Sequence, residues 1–309
     1  MKNPITEKDK WFFEESVPYD VSGTKIGIKI KKKLYSGKSS FQKIELYDTY
    51  AYGRILVLDG IVQTSEKDEF IYHEMLCQTP MFLHENPRRV LIIGGGDGGA
   101  LEEVLKHKIE KVWVAEIDAK VIEVSRKYLP SISKRAFKNK KSEITIGDGK
   151  EYINKYKDFF DVIILDLSDP GGPAKDLMSL DFYKKTKRAL RKNGIISIQS
   201  GSFTCQPGLV STIFSRIRKV FPYTEIRRAV VPCYQAGEYS FTIGSTADLE
   251  KITLKDIKKK YKKLKLDLKY YSPDIHFASK VLPKYLETEF LFIKTKVKKR
   301  VKLSSPLEK

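Results

Sequence analysis

Acidic side chains close four successive apolar runs of this chain, and their spacing is where its chemistry is most legible. Asp97 lies inside Gly94-Gly95-Gly96-Asp97-Gly98-Gly99, directly after the apolar residues 90–93. Glu116 ends the run 111–116, about 20 positions further on, where an acid following a glycine loop is expected to grip both hydroxyls of a ribose. Asp148 follows residues 143–146 within Gly147-Asp148-Gly149, well placed to accept from an adenine exocyclic amine. Asp166 and Asp169 follow residues 161–165 in Asp166-Leu167-Ser168-Asp169-Pro170-Gly171-Gly172-Pro173. Any one of these acids reads equally well as a helix cap or a turn residue. Together they imply more: gathering that much negative charge is costly unless cations fill the site. A metal is the obvious rival, yet no H-E-x-x-H or EF-hand pattern is present, and no metal is expected.

Such convergence requires a sheet whose strand ends meet. After Pro87 the chain alternates strand patterns at 90–93, 111–116, 143–146, 161–165, 194–199, 225–230 and 239–244 with helical ones. The helices are expected at 101–107, 119–128, 149–155 and 182–191, with another at 209–220. This predicts an α/β fold: a doubly wound, mostly parallel, Rossmann-like sheet of the methyltransferase type, with ligands at the carboxyl ends of its strands. Ahead of it, residues 1–65 read as a small N-terminal β domain with strands at 25–35, 41–47, 53–58 and 61–64. Turns fall at 48–52 and at Asp59-Gly60, the latter a hairpin signal. Residues 67–83 turn helical, with Phe70, Ile71, Glu74, Met75 and Gln78 at helix spacing, so the second domain is expected over 66–309. It ends in a basic helix and tail from Leu254 onward.

The formal charge of +19 over 309 residues invites a nucleic-acid reading. The densest lysine runs, 255–265 and 294–302, are not interleaved with aromatics and glycines, so they read as a solvated surface with no dedicated nucleic-acid site. On so basic a chain, an acidic pocket points to a polycationic ligand. Cys77, Cys205 and Cys233 are too few and too scattered for a disulfide framework or structural zinc. With a polar start and no run of 18 apolar residues, a cytoplasmic protein is expected, with no membrane partner.

Gly94-x-Gly96-x-x-Gly99 formally satisfies the dinucleotide fingerprint, but a pyrophosphate would lie against the Asp97 carboxylate. A phosphate-free adenosyl sulfonium suits the loop better, and decarboxylated S-adenosylmethionine, lacking a carboxylate of its own, suits it best. Here the chain resembles the spermidine synthase family of polyamine aminopropyltransferases. The matching segments include Trp11-Phe-Phe-Glu14, Ser40-Phe-Gln42, Gly53-Arg-Ile-Leu-Val-Leu-Asp-Gly-Ile-Val-Gln63-Thr64 and Asp68-Glu-Phe-Ile-Tyr72-His73-Glu74. To these are added the Gly94–Gly99 loop, Glu116-Ile-Asp118, Gly147-Asp148-Gly149, the stretch from Asp166 to Pro173, and Pro232-Cys-Tyr234. They span the chain from about residue 11 to 290.

Members of that family move the aminopropyl group of decarboxylated S-adenosylmethionine onto an amine and release methylthioadenosine. The resemblance implies that Gln42, Gly94, Gly96, Glu116, Asp148 and Gly149 hold the adenosyl part, with Pro173 closing on it. It implies that Asp97 binds the aminopropyl ammonium and that Asp166 accepts a proton from the attacking amine. Tyr72, His73, Asp169 and Tyr234 would orient the acceptor, with Trp11 bordering its far end. The sulfonium is an activated leaving group, so no cofactor is expected; the decarboxylated compound is a co-substrate. A homodimer or homotetramer is implied as well.

Two positions depart from the family pattern. Leu167 stands where a small or hydroxylic residue is usual, and its main chain is expected to line the site. Cys233 precedes Tyr234 where many spermidine synthases have threonine, and Gln235 follows it, leaving agmatine, diaminopropane and spermidine open as acceptors beside putrescine. Asp97 argues against the thermospermine-forming branch, whose loop tends to carry glutamate. The rival readings are a small-molecule methyltransferase on the same fold, a polyamine- or nucleic-acid-binding protein without turnover, and a nicotinamide oxidoreductase.

Overall fold

A strand buried on both faces must send alternate side chains into two separate cores, and β6 (Arg89–Gly94) does so. Val90 and Ile92 enter one apolar cluster; Leu91 and Ile93 enter another on the opposite face. Neighbouring strands repeat the division. Val112 and Val114 of β7 (Lys111–Glu116) join the first cluster and Trp113 and Ala115 the second. In β9 (Phe160–Asp166), Val162 and Ile164 separate likewise from Ile163 and Leu165. Each such side chain contributes about 1.5–3 kcal/mol on burial.

The structure, a computed structural model, describes residues 10–15, 20–168, 174 and 176–287. An amino-terminal five-stranded antiparallel sheet runs in the order β1 (Trp11–Phe13), β2 (Gly27–Lys38), β3 (Lys43–Thr49), β4 (Arg54–Leu58), β5 (Ile61–Ser65). The seven-stranded sheet has the order β11-β12-β10-β9-β6-β7-β8, where β8 is Ser142–Ile146, β10 is Leu190–Gly201, β11 is Tyr223–Val230 and β12 is Glu238–Ser245. β6 to β10 are parallel, and β12 and β11 close that edge antiparallel. The mostly parallel α/β sheet and the small β unit are thus as expected. Between strands run α2 (Gly99–Leu105), α3 (Ala119–Tyr128), α4 (Pro130–Ser133), α5 (Gly149–Asn154), α6 (Leu180–Ala189) and α7 (Pro207–Val220).

Helix α1 (Glu69–Leu83) carries Pro80 inside its last turn. A proline there has no N–H for the carbonyl four residues back, which is Leu76; the Ser197 hydroxyl of β10 donates to that oxygen instead, at 2.8 Å. The carboxyl end of α1 is closed by Lys260 from α8 (Leu254–Leu264), whose ammonium donates to the carbonyls of Met81, Phe82, His84 and Glu85. Buried Glu74 accepts backbone N–H groups from Lys269, Tyr270 and Tyr271, at 2.7–2.9 Å, and so fastens the segment leading to α9 (Pro273–Ala278). None of the helices among the described residues is long and apolar enough to cross a membrane.

Candidate active site

In the large sheet β7 lies on one side of β6 and β9 on the other, so the loops leaving β6 and β9 diverge around a crevice. Gly94 pairs in register with Asp166, and the Gly95 N–H donates to the Asp166 carbonyl at 2.9 Å. Gly94 takes a φ of +83°, and any Cβ there would overlap that carbonyl oxygen. The glycine loop therefore rests against the strand that carries Asp166. Over this junction lies a cavity of about 490 Å³ that draws its walls from both sheets.

The cavity wall carries groups suited to an adenosyl ligand. Gln42, Gly94, Gly96, Glu116, Asp148 and Gly149 all line it. Burial pushes the Glu116 carboxyl up to about 7, and its Oε1 accepts the Asp118 N–H at 2.8 Å. Asp118, itself buried, accepts from the Gln42 amide at 2.9 Å and from the Ser39 hydroxyl at 2.6 Å. It thereby aims a side chain of the small sheet into a cavity of the large one. Asp148 caps α5 through the Lys150 N–H at 2.8 Å and also faces the cavity, so the cap reading and the ligand reading hold together.

Asp97 and Asp166 line the same cavity. Single donor atoms of Asp97, Asp166 and His73 lie within 4.8 Å of one another. Asp166 accepts the Tyr72 hydroxyl at 2.8 Å; burial and then the Asp97 charge push its carboxyl up to about 6. Burial alone would do the same to Asp97, but His73 beside it and the Gly99 N–H at 2.9 Å hold it below the usual carboxylate range. The three donors have the spacing of a metal site, but both His73 ring nitrogens already face carboxylates, Glu69 at 2.7 Å and Asp97 at 3.4 Å, so neither offers a lone pair. Tyr72 and Tyr234 form an aromatic wall, their ring centroids 5.8 Å apart; the Tyr234 hydroxyl donates to the Gln63 carbonyl at 2.6 Å.

Several expectations need correction. Trp11 does not line the cavity; it is 48% exposed on β1, with its ring stacked on Phe13. Strand alternation turns Phe12 and Glu14 inward instead, and Glu14 reaches the cavity. His73 is buried behind Asp97 and does not form part of the wall. Asp169 and Pro173 lie outside the described residues. Leu167 is on the cavity wall; its carbonyl accepts the Gln199 amide at 2.9 Å and its side chain packs in the apolar core. Glu14 and Asp118 were both visible in the matching segments, but nothing in their spacing distinguished them from ordinary surface acids. Gln235, noted in the sequence only as a departure after Tyr234, also lines the cavity, as does Gln206, which carried no sequence signal.

Comparison with known proteins is consistent over most of the chain. Residues 69–256 match the spermine/spermidine synthase domain, and residues 10–66 match the spermidine synthase tetramerisation domain. A polyamine aminopropyltransferase of Thermoanaerobacter sp. (strain X514) is 42% identical over 282 residues, covering 91% of this chain and 98% of that one. One from Clostridium tetani is 42% identical over 281 residues, covering 90% and 96%. Among solved structures, a spermidine synthase in complex with the transition-state analogue AdoDATO has a TM-score of 0.87 at 39% identity, covering 94% of this chain and 98% of that chain. The spermidine synthase from Thermotoga maritima gives 0.85 at 39% identity, with the same coverage. The chain belongs to the spermine/spermidine synthase family, and it is a transferase of the polyamine aminopropyltransferase type.

Proposed function

We propose that this enzyme transfers the aminopropyl group of decarboxylated S-adenosylmethionine to putrescine, giving spermidine and methylthioadenosine. The observation that carries this reading is the pairing of Asp97 and Asp166 within 4.8 Å, with Asp97, Asp166, Glu116 and Asp148 all lining one cavity. In this reading Gln42, Glu116 and Asp148 hold the adenosine, Asp97 the aminopropyl ammonium, and Pro173 and Asp169 act from the segment after β9. Glu14, a buried carboxylate on the wall, is a counter-charge for the distal ammonium of a diamine.

A primary amine has a reference pKa of about 10.4 and is protonated near neutral pH, so it must lose a proton to attack. Asp166 binds the ammonium and takes that proton. The freed nitrogen lone pair forms a bond to the methylene carbon attached to sulfur, and the carbon–sulfur bond breaks with its electron pair moving to sulfur. The positive sulfonium leaves as the neutral thioether of methylthioadenosine. Tyr72, hydrogen-bonded to Asp166, and Tyr234 shape the acceptor's approach, and alignment of nitrogen, carbon and sulfur supplies much of the rate. The chemistry asks for no resident cofactor. The match to a tetramerisation domain supports a homotetramer assembled through the small sheet, and three buried, unpaired cysteines suit a cytoplasmic location.

An acceptor panel tests the reading. Putrescine, agmatine, diaminopropane and spermidine are each incubated with decarboxylated S-adenosylmethionine, and the products are separated by chromatography. Putrescine is expected to give the highest kcat/KM, with one methylthioadenosine released per spermidine. Preference for another amine would move the acceptor assignment, and methyl transfer from S-adenosylmethionine in its place would overturn the reaction.

A further inference from the structure

The reaction as proposed uses Asp97 and Asp166 directly, but it assigns no role to the acid one turn before His73. Glu69 opens α1, and its Oε2 lies 2.7 Å from His73 Nδ1. The other ring nitrogen, Nε2, faces Asp97 Oδ2 at 3.4 Å. A neutral imidazole has one N–H and one lone pair, so it would present that lone pair to one of the two carboxylates. With an acid at each end the ring is doubly protonated. The position is also fixed sterically: the ring lies so close over Gly99 that any Cβ there would overlap it. Asp97 is held from its other side, since its Oδ1 accepts the Gly99 N–H at 2.9 Å.

We propose that Glu69 is a positioning residue that keeps His73 as an imidazolium and, through it, keeps Asp97 ionised and aimed at the ammonium of the aminopropyl donor. The inference rests on the proposed reaction and deepens it. Asp97 and Asp166 face one another across less than 4.8 Å, so one of the two tends to take up a proton. A cation behind Asp97 decides which: Asp97 stays charged to hold the donor, and Asp166 is left as the group that exchanges a proton. Burial by itself would lower the His73 pKa; Asp97 and then Glu69 hold it well above its ordinary value. Loss of Glu69 therefore removes part of what keeps the buried ring charged. The other titratable groups near the ring are Tyr72 on α1, whose ring meets it edge-on, and Asp166 at the tip of β9; Cys77 on α1 and Tyr234 from the β11–β12 connection lie within electrostatic reach of Asp97 and Asp166, and α2 brings the Gly99 backbone against the ring.

Glu69→Gln is the informative variant, because its amide oxygen can still accept from Nδ1 while the charge is gone. Steady-state kinetics are measured across pH, with methylthioadenosine binding as a control, since that product lacks the aminopropyl arm. The expected result is a KM for decarboxylated S-adenosylmethionine raised roughly 10- to 100-fold, as for loss of a hydrogen bond to a charged group, with methylthioadenosine affinity and thermal midpoint unchanged. The imidazolium is the active form, so activity is lost as pH rises through its pKa; removing Glu69 lowers that pKa and moves the alkaline limb of kcat/KM to lower pH. A variant with the parent's donor KM and pH profile would overturn the proposal, as would an equal weakening of methylthioadenosine. If Glu69→Gln does not fold, Glu69→Asp, which keeps the charge on a shorter arm, is read by the same donor-to-product ratio. A parent enzyme that fails to transfer aminopropyl groups would instead overturn the reaction itself.

Discussion

In the proposed reaction Asp166 is the residue on which the chemical step turns, and its surroundings suit it to the task. Its pKa of about 6, set by burial and by Asp97, places it near the working pH of a general base. Asp166→Asn keeps the shape and still accepts the Tyr72 hydroxyl, so it is expected to fold and to bind donor while kcat falls by about 10²–10⁴. The base must be ionised, so for the parent enzyme kcat/KM for the acceptor should fall as pH drops through about 6. Bound cations favour the carboxylate, so the acid limb of kcat alone should lie lower still. Stopped assays over pH 4.5 to 9 (~0.5-unit steps) check both, and an Asp166→Asn enzyme with full kcat would remove it as base. Residues of this kind were legible because an acid at a strand end after a glycine loop has few other reasons to recur four times. Glu69, Asp118 and Glu14 were not. Glu69 has only the four-residue spacing to His73 that any helical pair shows, Asp118 acts through a contact with an element distant in sequence, and Glu14 depends on the register of a three-residue strand. His73 was visible as a candidate for orienting the acceptor; only burial distinguishes a side chain that touches substrate from one that holds the side chain that does.

At the scale of elements, α1 matters beyond the Tyr72 ring it brings to the cavity wall, because Tyr72, His73 and Glu69 all depend on its axis. Pro80 opens a gap in its hydrogen bonding that Ser197 closes from β10. Ser197→Ala would bury the Leu76 carbonyl without that partner. It should cost about 1–3 kcal/mol in denaturant unfolding; a change near zero would show that the helix closes the gap unaided. Buried parallel strands were the most legible elements, since continuous apolar runs bounded by glycine and aspartate leave few alternatives. Boundaries were less so. The helix expected at 182–191 ends at Ala189, because β10 starts at Leu190 and its pairing with β9 shifts register between Leu190 and Ile195. β1 was missed, being only three residues long, and α9 was hidden in a lysine-rich segment read as helix and tail. What orders that segment is the remote carboxylate of Glu74, which local pattern does not reveal.

For the molecule as a whole, the informative contrast is between a chain of net charge +19 and a cavity walled by carboxylates. The two sheets meet around that cavity. Asp118 takes the Gln42 amide, Arg54 donates to the Tyr128 carbonyl at 2.7 Å, and Asp68 accepts the Cys233 N–H at 2.8 Å. The small sheet therefore completes the site as well as flanking it, since Gln42, Gln63 and Glu14 all come from it or its edge. If the acids exist to hold cations, the enzyme should tell ligands apart by charge at Asp97 before any reaction occurs. Calorimetric affinities of decarboxylated S-adenosylmethionine and of S-adenosylmethionine, which differ by one carboxylate, measure this directly. Because like charges brought together in such a site cost several kcal/mol, the decarboxylated compound should bind roughly 100-fold tighter or more, and Asp97→Asn should erase most of that difference. Equal affinities in the parent protein would contradict the account.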